Sequence, residues 1–354
     1  MAFDLIRIQH LRNIREGELR PAKGLNLILG ENGSGKSSLL EAVYMLGRGS
    51  SFRGRRVGDV ITHGEKSLHL YATFIKSGMR LRVGVKKSRK GGSIQLNGTT
   101  IARLSQLVRE IPVQIITPRS HEILERGPEL RRRLLDWGVF HVEHGYHDLN
   151  RRYQLALSQR NATLKQGGDD LSIWEREMDQ AGTALDQMRK HYVSILVPVF
   201  QKELDALLQG TIDVDIHYRR GWSDDTTLRR ALEKSRLLDR KRGFSTCGVH
   251  RADLVVKMDG HPVAAIASRG QQKMMICALM IAQGRLTSER SGVPPVVLID
   301  DLAAELDLSN RQRVLHRLLG HGYQCLFTAT DARTQEGQDV AAVFHVEQGM
   351  IKPG

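Results

Sequence analysis

The sequence predicts an α/β nucleotide-binding domain that is interrupted by a mainly helical segment. Three observations support this. A phosphate-loop pattern near the N-terminus lies between an apolar run and a helix-forming stretch; the middle of the chain carries an apolar seam at heptad spacing; and β-branched segments alternate with helices in the last third. Because such alternation is typical of βα units, we expect a largely parallel sheet.

The phosphate loop spans residues 30–37 and matches the pattern G-x-x-x-x-G-K-[ST]. Such a loop points backbone N–H groups at a polyphosphate, its lysine reaches the β- and γ-phosphates, and its serine can hold Mg²⁺. The apolar run 25–29 predicts a strand before it, and residues 38–43 continue as a helix, which argues against a mere surface turn. We therefore expect the nucleotide to contact Gly30, Glu31, Asn32, Gly33, Ser34, Gly35, Lys36, Ser37 and Ser38.

Charge indicates the kind of partner. The chain has 354 residues, 53 of them basic and 39 acidic, and a formal net charge of +14. This balance favours a nucleic-acid partner, although a solvated basic surface is the alternative. Aromatic residues make up only 5%, so we expect phosphate contacts rather than base stacking as the main mode.

Cysteine usage and hydropathy bear on location. The cysteines Cys247, Cys277 and Cys325 are far apart and lack the spacing of disulfide or metal pairs. No apolar run approaches the ~20 residues that cross a bilayer, and no secretory signal pattern is present. We expect a cytoplasmic protein with no membrane partner.

The apolar patterns divide the chain into three parts. In the first, we expect strands at residues 3–8, 25–29, 71–75, 81–85, 93–98 and 113–116. In the middle part, a heptad seam predicts a short antiparallel helical arm, with an ordinary packed helix as the alternative; Pro198 should kink or end its second helix. The seam consists of Leu171, Trp174, Met178, Ala181, Leu185, Met188 and Tyr192. In the third, we expect strands of the nucleotide lobe at residues 253–256, 295–301, 324–328 and 343–346.

Two carboxylates, Asp300 and Asp301, follow the apolar strand at 295–299. The carboxyl end of a parallel strand is the usual ligand side of an α/β sheet. There, one carboxylate can orient Mg²⁺ and a second can polarise the attacking water. A loop start or a helix cap is the alternative reading of the same pair.

A second anion site is predicted where Ser268 and Gly270 begin an apolar helix, because helix N-termini leave backbone N–H groups unpaired. One nucleotide has no need of two such helix ends in one chain. We therefore expect this end to serve the nucleotide of a partner subunit, although an ordinary helix cap is the alternative.

The order of these motifs resembles that of the ABC-type ATPases of the SMC family, in particular its bacterial recombination mediators. The resemblance covers nearly the whole chain. Besides the phosphate loop, it rests on residues 11–13, 47–53, 127–136, 248–253, 268–273 and 300–307. In segment 248–253, Val249 stands where the family usually has proline.

The resemblance implies an ABC-type P-loop ATPase head with a mixed sheet, formed by residues 1–118 and 241–354. Residues 119–240 would form an inserted, mainly helical arm with a short coiled-coil-like hairpin. It also implies that ATP and Mg²⁺ bind, with Lys36 and Asp301 catalytic and with Ser37, Asp300 and Gln114 at the metal. Further nucleotide contacts would come from Arg12, Ser268, Gly270, Gln271 and Thr330.

The implied function is an ATP-dependent homodimer that clamps duplex DNA near single-strand gaps or junctions and promotes recombinase loading with mediators such as RecR. It would act in recombinational repair, replication restart and the SOS response. Thr330 occupies the place of a switch histidine, so we expect slow, weakly DNA-stimulated hydrolysis. The candidate DNA contacts are Arg53, Arg55, Arg56, Lys86, Lys87, Arg89 and Lys90.

Two other functions fit the same loop chemistry. A transporter ATPase subunit is disfavoured by the basic charge, the helical insert and the missing switch histidine. An SMC-like nuclease or long tether is disfavoured because the heptad seam is short and no tight carboxylate or histidine cluster is present.

Overall fold

Two units make up the chain: Met1–Ser120 with Lys273–Gly354, and His121–Gln272. The computed structural model describes residues 1–54, 56–168, 170–208, 212–301, 306–331 and 339–354. The first change of unit falls close to the expected residue 118. The second falls at residue 272, so the predicted return to the nucleotide lobe at residue 241 is displaced, and residues 241–272 belong with the insert.

The elements are numbered in chain order. The strands are β1 (Ala2–Leu11), β2 (Ile14–Leu19), β3 (Leu25–Leu29), β4 (Ser67–Lys76), β5 (Met79–Ser88), β6 (Gly91–Leu96), β7 (Thr99–Thr100), β8 (Val113–Ile116), β9 (Val214–Arg219), β10 (Asp253–Met258), β11 (His261–Pro262), β12 (Val296–Ile299), β13 (Gln324–Ala329), β14 (Val340–Glu347) and β15 (Met350–Pro353). The α-helices are α1 (Lys36–Arg48), α2 (Leu104–Glu110), α3 (Glu122–Glu125), α4 (Pro128–Val142), α5 (Tyr146–Lys165), α6 (Ser172–Leu208), α7 (Leu228–Arg242), α8 (Val263–Ile266), α9 (Arg269–Ser291) and α10 (Leu308–Gly320).

The first unit contains an antiparallel sheet of six strands, in the order β2-β1-β4-β5-β6-β7. Along its strands, buried apolar side chains alternate with exposed polar ones, as a sheet with one buried face requires. In β1, Ile6 and Ile8 are fully buried, while Arg7 and Gln9 are exposed on the other face. The sheet therefore has one face in the core and one polar outer face.

The second sheet of this unit has the order β15-β14-β3-β13-β12-β8. All of its neighbouring pairs are parallel except β14 with β15, which confirms the largely parallel sheet. Parallel pairing brings the carboxyl ends of β3, β13 and β12 to one edge, and this edge carries the candidate site.

Helix α1 lies between these two sheets. Its side chains Leu39, Leu40 and Val43 share one buried core with Ile8 of the antiparallel sheet and Leu298 of the parallel sheet. Because α1 is held from both sides, the loop that precedes it has a fixed end.

In the second unit, α5 and α6 form the predicted antiparallel hairpin. Arg160 of α5 forms an ion pair with Glu175 of α6. Tyr153, earlier in α5, lies against Gly182, later in α6, as antiparallel packing requires. Most of the predicted seam is buried, whereas Trp174 and Met188 are only half-buried.

Helix α6 runs on to Leu208 with Pro198 in its interior, so the proline does not end the helix. Leu196, Phe200 and Leu204 on either side of it are buried. Burial of these side chains, each worth roughly 1.5–3 kcal/mol, offsets the ~3 kcal/mol that an interior proline costs.

Strand β10 corrects the expectation that residues 253–256 belong to the nucleotide-binding sheet. It pairs antiparallel with β9 and β11 in a three-stranded sheet of the second unit. Arg131 of α4 holds Asp253 at the start of β10, with Nε 2.8 Å from Oδ1. These contacts explain why the second unit extends past residue 241.

Candidate nucleotide-binding site

The phosphate loop connects the end of β3 to the start of α1. Gly33 has φ 82° and Gly35 has φ 122°, values that glycine adopts without steric cost. The backbone N–H of Ser34 donates to Glu31 O over 3.2 Å, and that of Leu39 donates to Gly35 O over 2.9 Å. The loop is therefore a tight turn that runs directly into a helix N-terminus.

The Lys36 ammonium bridges this turn. Nζ donates to Gly30 O over 2.6 Å and to Glu31 O over 2.9 Å. Burial lowers the pKa of Lys36, and the carboxylates of Asp301 and Asp300 act in the opposite direction. A charged group that is poor in solvent and close to loop carbonyls is well placed to take phosphate oxygens as partners.

Steric and polar features of the loop fit a triphosphate. A Cβ on Gly30 would lie 2.3 Å from Val346 O and 2.6 Å from Ser34 Oγ, so no side chain fits there. The buried hydroxyl of Ser34 has no hydrogen-bond partner among the described residues. An unsatisfied buried hydroxyl costs ~1–3 kcal/mol, which a phosphate oxygen at the loop would recover.

The carboxylate of Asp300 meets two hydroxyl groups. Ser37 Oγ donates to Asp300 Oδ1 over 2.9 Å, and Thr328 Oγ1 lies 3.0 Å from the same oxygen. Thr328 reaches it because Ile299 pairs with Phe327, which places Asp300 level with Thr328. Serine and carboxylate oxygens at a phosphate loop are the ligands that Mg²⁺ uses there.

Asp301 has an unusual backbone conformation. Its φ of 45° lies in the left-handed region, which aspartate tolerates better than most residues. Its backbone N–H donates to Thr328 Oγ1 over 2.9 Å. Thr328 therefore holds both carboxylate residues, and we did not single it out from the sequence, where it reads only as one member of a strand.

Asn13 is a second residue that the sequence did not assign to the site. Its Nδ2 donates to Ser34 O over 2.9 Å, and its Oδ1 accepts from Ser38 Oγ over 3.1 Å. The N–H of Gly349, in the turn between β14 and β15, also donates to Ser34 O over 2.8 Å. Two hairpins from different sheets thus hold one carbonyl of the phosphate loop.

We expected Arg12 to contact the nucleotide, but its guanidinium binds residues outside the phosphate loop. Its Nε and Nη2 donate to the two carboxylate oxygens of Glu41 over 2.9 and 3.0 Å, and Nη1 donates to Asp59 O over 2.6 Å. Glu41 is a fully buried residue of α1. In this structure Arg12 links β1 to that helix.

Gln114 and Thr330 differ in their relation to the site. Gln114 is buried in β8, level with Val297, three residues before the level of Asp300. That offset is roughly 10 Å along the strand, so the structure does not bring Gln114 to Ser37 and Asp300. Thr330 is exposed and follows Ala329, which is level with Leu29; it therefore lies at the same sheet edge as the loop.

The helix end at Ser268 belongs to the second unit and forms a reciprocal cap. Gln271 N donates to Ser268 Oγ over 3.2 Å, and Ser268 N donates to Gln271 Oε1 over 2.8 Å. A Cβ on Gly270 would meet no atom closer than 3.9 Å among the described residues. Packing among the residues that the structure describes therefore gives no reason for glycine at this position.

The basic candidates lie on and beside the antiparallel sheet. Lys86 and Lys87 are on β5, Arg89 and Lys90 follow it, and a Cβ on Gly58 would lie 3.6 Å from Arg89 Nε. Gly58 and the β5–β6 turn are therefore neighbours. Arg55, and Glu305 of the segment after Asp301, lie outside the described residues.

A phosphate loop before a helix held between an antiparallel and a mainly parallel sheet, with an inserted helical unit, defines an SMC-like ABC-type ATPase head. The family model described as RecF/RecN/SMC N terminal domain matches residues 3–352. The chain belongs to this family, and within it to the group of the RecF proteins.

Full-length relatives place it in this group. The DNA replication and repair protein RecF of Thioalkalivibrio sulfidiphilus is 38% identical over 360 residues, and that of Vibrio cholerae is 36% identical over 364 residues; both alignments cover 100% of each chain. A structure of the recombination mediator protein RecF-ATPrS in the RecFOR pathway superposes with a TM-score of 0.88 at 25% identity, covering 99% of this chain and 97% of that one. An SMC head bound to the C-winged helix domain of ScpA, at 14% identity and a TM-score of 0.59, shares the fold, with 100% of this chain and 98% of that one covered.

None of the helices in the described ranges combines the length and the apolar character that a bilayer crossing needs.

Proposed function

We propose that the protein is an ATP-gated, homodimeric DNA clamp of replication and repair. The contact between Ser37 and Asp300, at a loop whose Ser34 hydroxyl has no partner among the described residues, carries the proposal, because these are groups that a Mg²⁺–triphosphate complex would bind. The relatives called DNA replication and repair protein RecF, and the RecF structure with ATPrS, support the same conclusion.

Within one chain, each residue has a defined task. Lys36 and the loop N–H groups bind the phosphates, and Ser37 with Asp300 would hold Mg²⁺, which supplies charge neutralisation for the phosphates. Asp301 is proposed to accept a proton from the attacking water. Thr328 keeps Asp300 and the Asp301 backbone in place through its two hydrogen bonds.

The second half of the site is proposed to come from a partner subunit. Ser268 and Gly270 would meet the γ-phosphate held by the other copy, with Gln271 as part of the cap. Glycine in a helix costs roughly 0.5–1 kcal/mol relative to alanine, and no contact among the described residues requires it at position 270. Close approach of a partner's nucleotide provides that requirement.

Because two subunits share the site in this proposal, the bound nucleotide controls dimerisation. The two subunits close only while the γ-phosphate bridges them, and its hydrolysis weakens the shared interface. Thr330, at the loop's edge of the sheet, cannot take up the charge of an imidazole, so we propose a weak ATPase in which bound ATP acts as the clamp. Arg12, tied to Glu41, would act through the position of α1 rather than by direct contact.

The clamped ligand is proposed to be duplex DNA near gaps or junctions, with mediators such as RecR as partners. A net charge of +14 and the exposed Arg53, Arg56, Lys86 and Arg89 favour phosphate contacts with little sequence preference.

Sedimentation with no nucleotide, ADP and a non-hydrolysable ATP analogue, with and without gapped duplex, tests this proposal. Wild-type protein should dimerise only with the analogue. Ser268→Arg should stay monomeric while binding ATP as tightly as wild type, and Thr227→Arg, which alters the N-cap of α7, should dimerise normally. Dimerisation of Ser268→Arg, or equal duplex affinity in all three nucleotide states, would reject the clamp.

A further inference from the structure

The outer face of the antiparallel sheet contains a cleft of about 400 Å³. Four neighbouring strands line it, so it is part of the sheet itself and not of a loop. The side chains that matter here are Arg7, Gln9, His69, Tyr71, Lys86 and Gln95. None of these has a part in the nucleotide-binding site.

Gly84 forms the floor of this cleft. It pairs with Tyr71 on β4 and with Gln95 on β6, so these two side chains stand on either side of a position that has none. Paired residues of an antiparallel sheet share a face, which makes the gap a direct consequence of the register.

Nothing in the described part of the chain explains a glycine at position 84. The pairing of β4 with β5 runs without a break from Ser67↔Ser88 to Lys76↔Met79, so no bulge is present. The φ of Gly84 is not in the left-handed region, and a Cβ there would meet no described atom within 4 Å. An interior strand glycine with no such cause marks a place where a ligand approaches the backbone.

The lining has the chemistry of a nucleotide site. The half-exposed ring of Tyr71 offers an aromatic face, Gln9 and Gln95 offer amide donors and acceptors, and Lys86 offers a positive charge. Arg7 is held by Glu18, with Nε 2.8 Å from Oε2. Burial and the charge of Lys86 lower the pKa of His69, so its ring stays neutral at pH 7 and hydrogen-bonds with Ser67.

We propose that this cleft binds one unpaired nucleotide of a DNA strand, with its base against Tyr71 above Gly84 and its phosphate at Lys86. The inference rests on the proposed DNA clamp and specifies where unpaired DNA is recognised. Bases of an intact duplex are paired and stacked, so they cannot enter the cleft without the cost of extrusion, a few kcal/mol. Phosphate contacts carry the affinity, and one stacked base carries the preference for a gap.

The first test compares an intact duplex with the same duplex carrying a gap that contains 2-aminopurine. Gly84→Val fills the cleft with a residue that suits strands and should bind the gapped DNA about tenfold more weakly, with unchanged binding to the intact duplex. Thr100→Ile adds bulk on the same face two strands away and should keep the wild-type preference. A wild-type gap preference in a folded Gly84→Val protein would overturn the proposal.

The second test changes the aromatic ring of Tyr71. Binding of wild type should quench the 2-aminopurine fluorescence by stacking, Tyr71→Phe should retain the quenching, and Tyr71→Leu should lose it. Quenching that survives in Tyr71→Leu would overturn the proposed base position. If thymidine monophosphate binds wild type but not Gly84→Val, while gap preference is equal in both, the cleft takes a free nucleotide and not a DNA strand. If wild type showed no ATP-dependent binding to intact duplex, the proposed DNA clamp itself would be refuted, whatever the cleft binds.

Discussion

The hydroxyl of Ser37 donates to Asp300 Oδ1 over 2.9 Å, although the two residues are 263 positions apart in the chain. Ser37 stands in the first turn of α1, and Asp300 follows β12. The contact exists because β13 lies between β3 and β12 and all three strands are parallel, so that their carboxyl ends meet. The geometry of this contact is thus set by strand order.

Removal of the Ser37 hydroxyl should weaken the response to Mg²⁺. Ser37→Ala leaves Asp300 as the single protein ligand, and we expect at least about a tenfold rise in the Mg²⁺ concentration for half-maximal ATP binding. Ser37→Thr keeps the hydroxyl and should remain close to wild type. Titration of Mg²⁺ at fixed ATP measures this, and an unchanged midpoint for Ser37→Ala would contradict the assignment.

Thr328 should affect hydrolysis more than nucleotide binding. Thr328→Val preserves shape but removes the acceptor of the part-buried N–H of Asp301, a cost of roughly 0.5–1.5 kcal/mol of unfolding free energy. Because the carboxylate of Asp300 and the backbone of Asp301 both lose a hydrogen bond, kcat should fall further than ATP affinity. Thr328→Ser, which keeps the hydroxyl, is the control; equal activity of the valine and serine variants would show that the hydroxyl has no such role.

Asn13 should set the affinity of the phosphate loop. Asn13→Ala removes its hydrogen bonds to Ser34 O and Ser38 Oγ, and we expect ATP to bind roughly thirtyfold more weakly, at about 1 kcal/mol per lost bond. Asn13→Asp keeps the acceptor for Ser38 but places a carboxylate near Ser34 O, so it should not restore affinity. Calorimetric titration with ATP measures this. Wild-type affinity in both variants would show that the hydrogen bonds of Asn13 to the phosphate loop do not affect ATP binding.

His250 should make the second unit acid-sensitive. Burial lowers the pKa of His250 from 6.5 to about 4, and its ring contacts Tyr153 Oη at 2.8 Å and Ser245 O at 3.1 Å. Between these two pKa values the unfolded chain binds a proton that the folded chain does not. Stability is therefore complete above pH 6.5 and falls as the pH drops towards 4, by up to about 3 kcal/mol.

Urea unfolding of wild type and His250→Gln at pH 7 and pH 4.5 isolates this effect from that of the carboxylates. Glutamine does not titrate, so the variant should lose less stability on acidification than wild type. Identical losses would mean that His250 contributes nothing to the pH dependence.

The local elements of the site followed from the sequence because each depends on neighbouring residues. The glycines of residues 30–37 determine the turn, Lys36 begins a helix, and Ser268 with Gln271 builds a cap within four residues. The apolar runs at 25–29 and 296–299 predicted buried strands for the same reason. The order of the motifs indicated the family, and the charge of +14 favoured a nucleic-acid partner.

Contacts that depend on register and on the meeting of distant segments were not predictable in this way. Gln114 has the right chemistry for a metal ligand, but its pairing with Val297 places it inside the sheet, three residues before the level of Asp300. Arg12 has the right charge for a phosphate, but the buried Glu41 takes its guanidinium.

By itself, the sequence determined that this protein has a triphosphate loop, a pair of carboxylates after a buried strand, a helical insert and a basic surface. Only the tertiary structure decided that Thr328 binds the carboxylate of Asp300 and the backbone N–H of Asp301, that Asn13 and Gly349 hold the loop, and that Gly84 leaves a cleft. The reason is physical. A turn or a cap is fixed by interactions over a few residues, whereas these contacts exist only once strand order and register have brought remote parts of the chain within hydrogen-bonding distance.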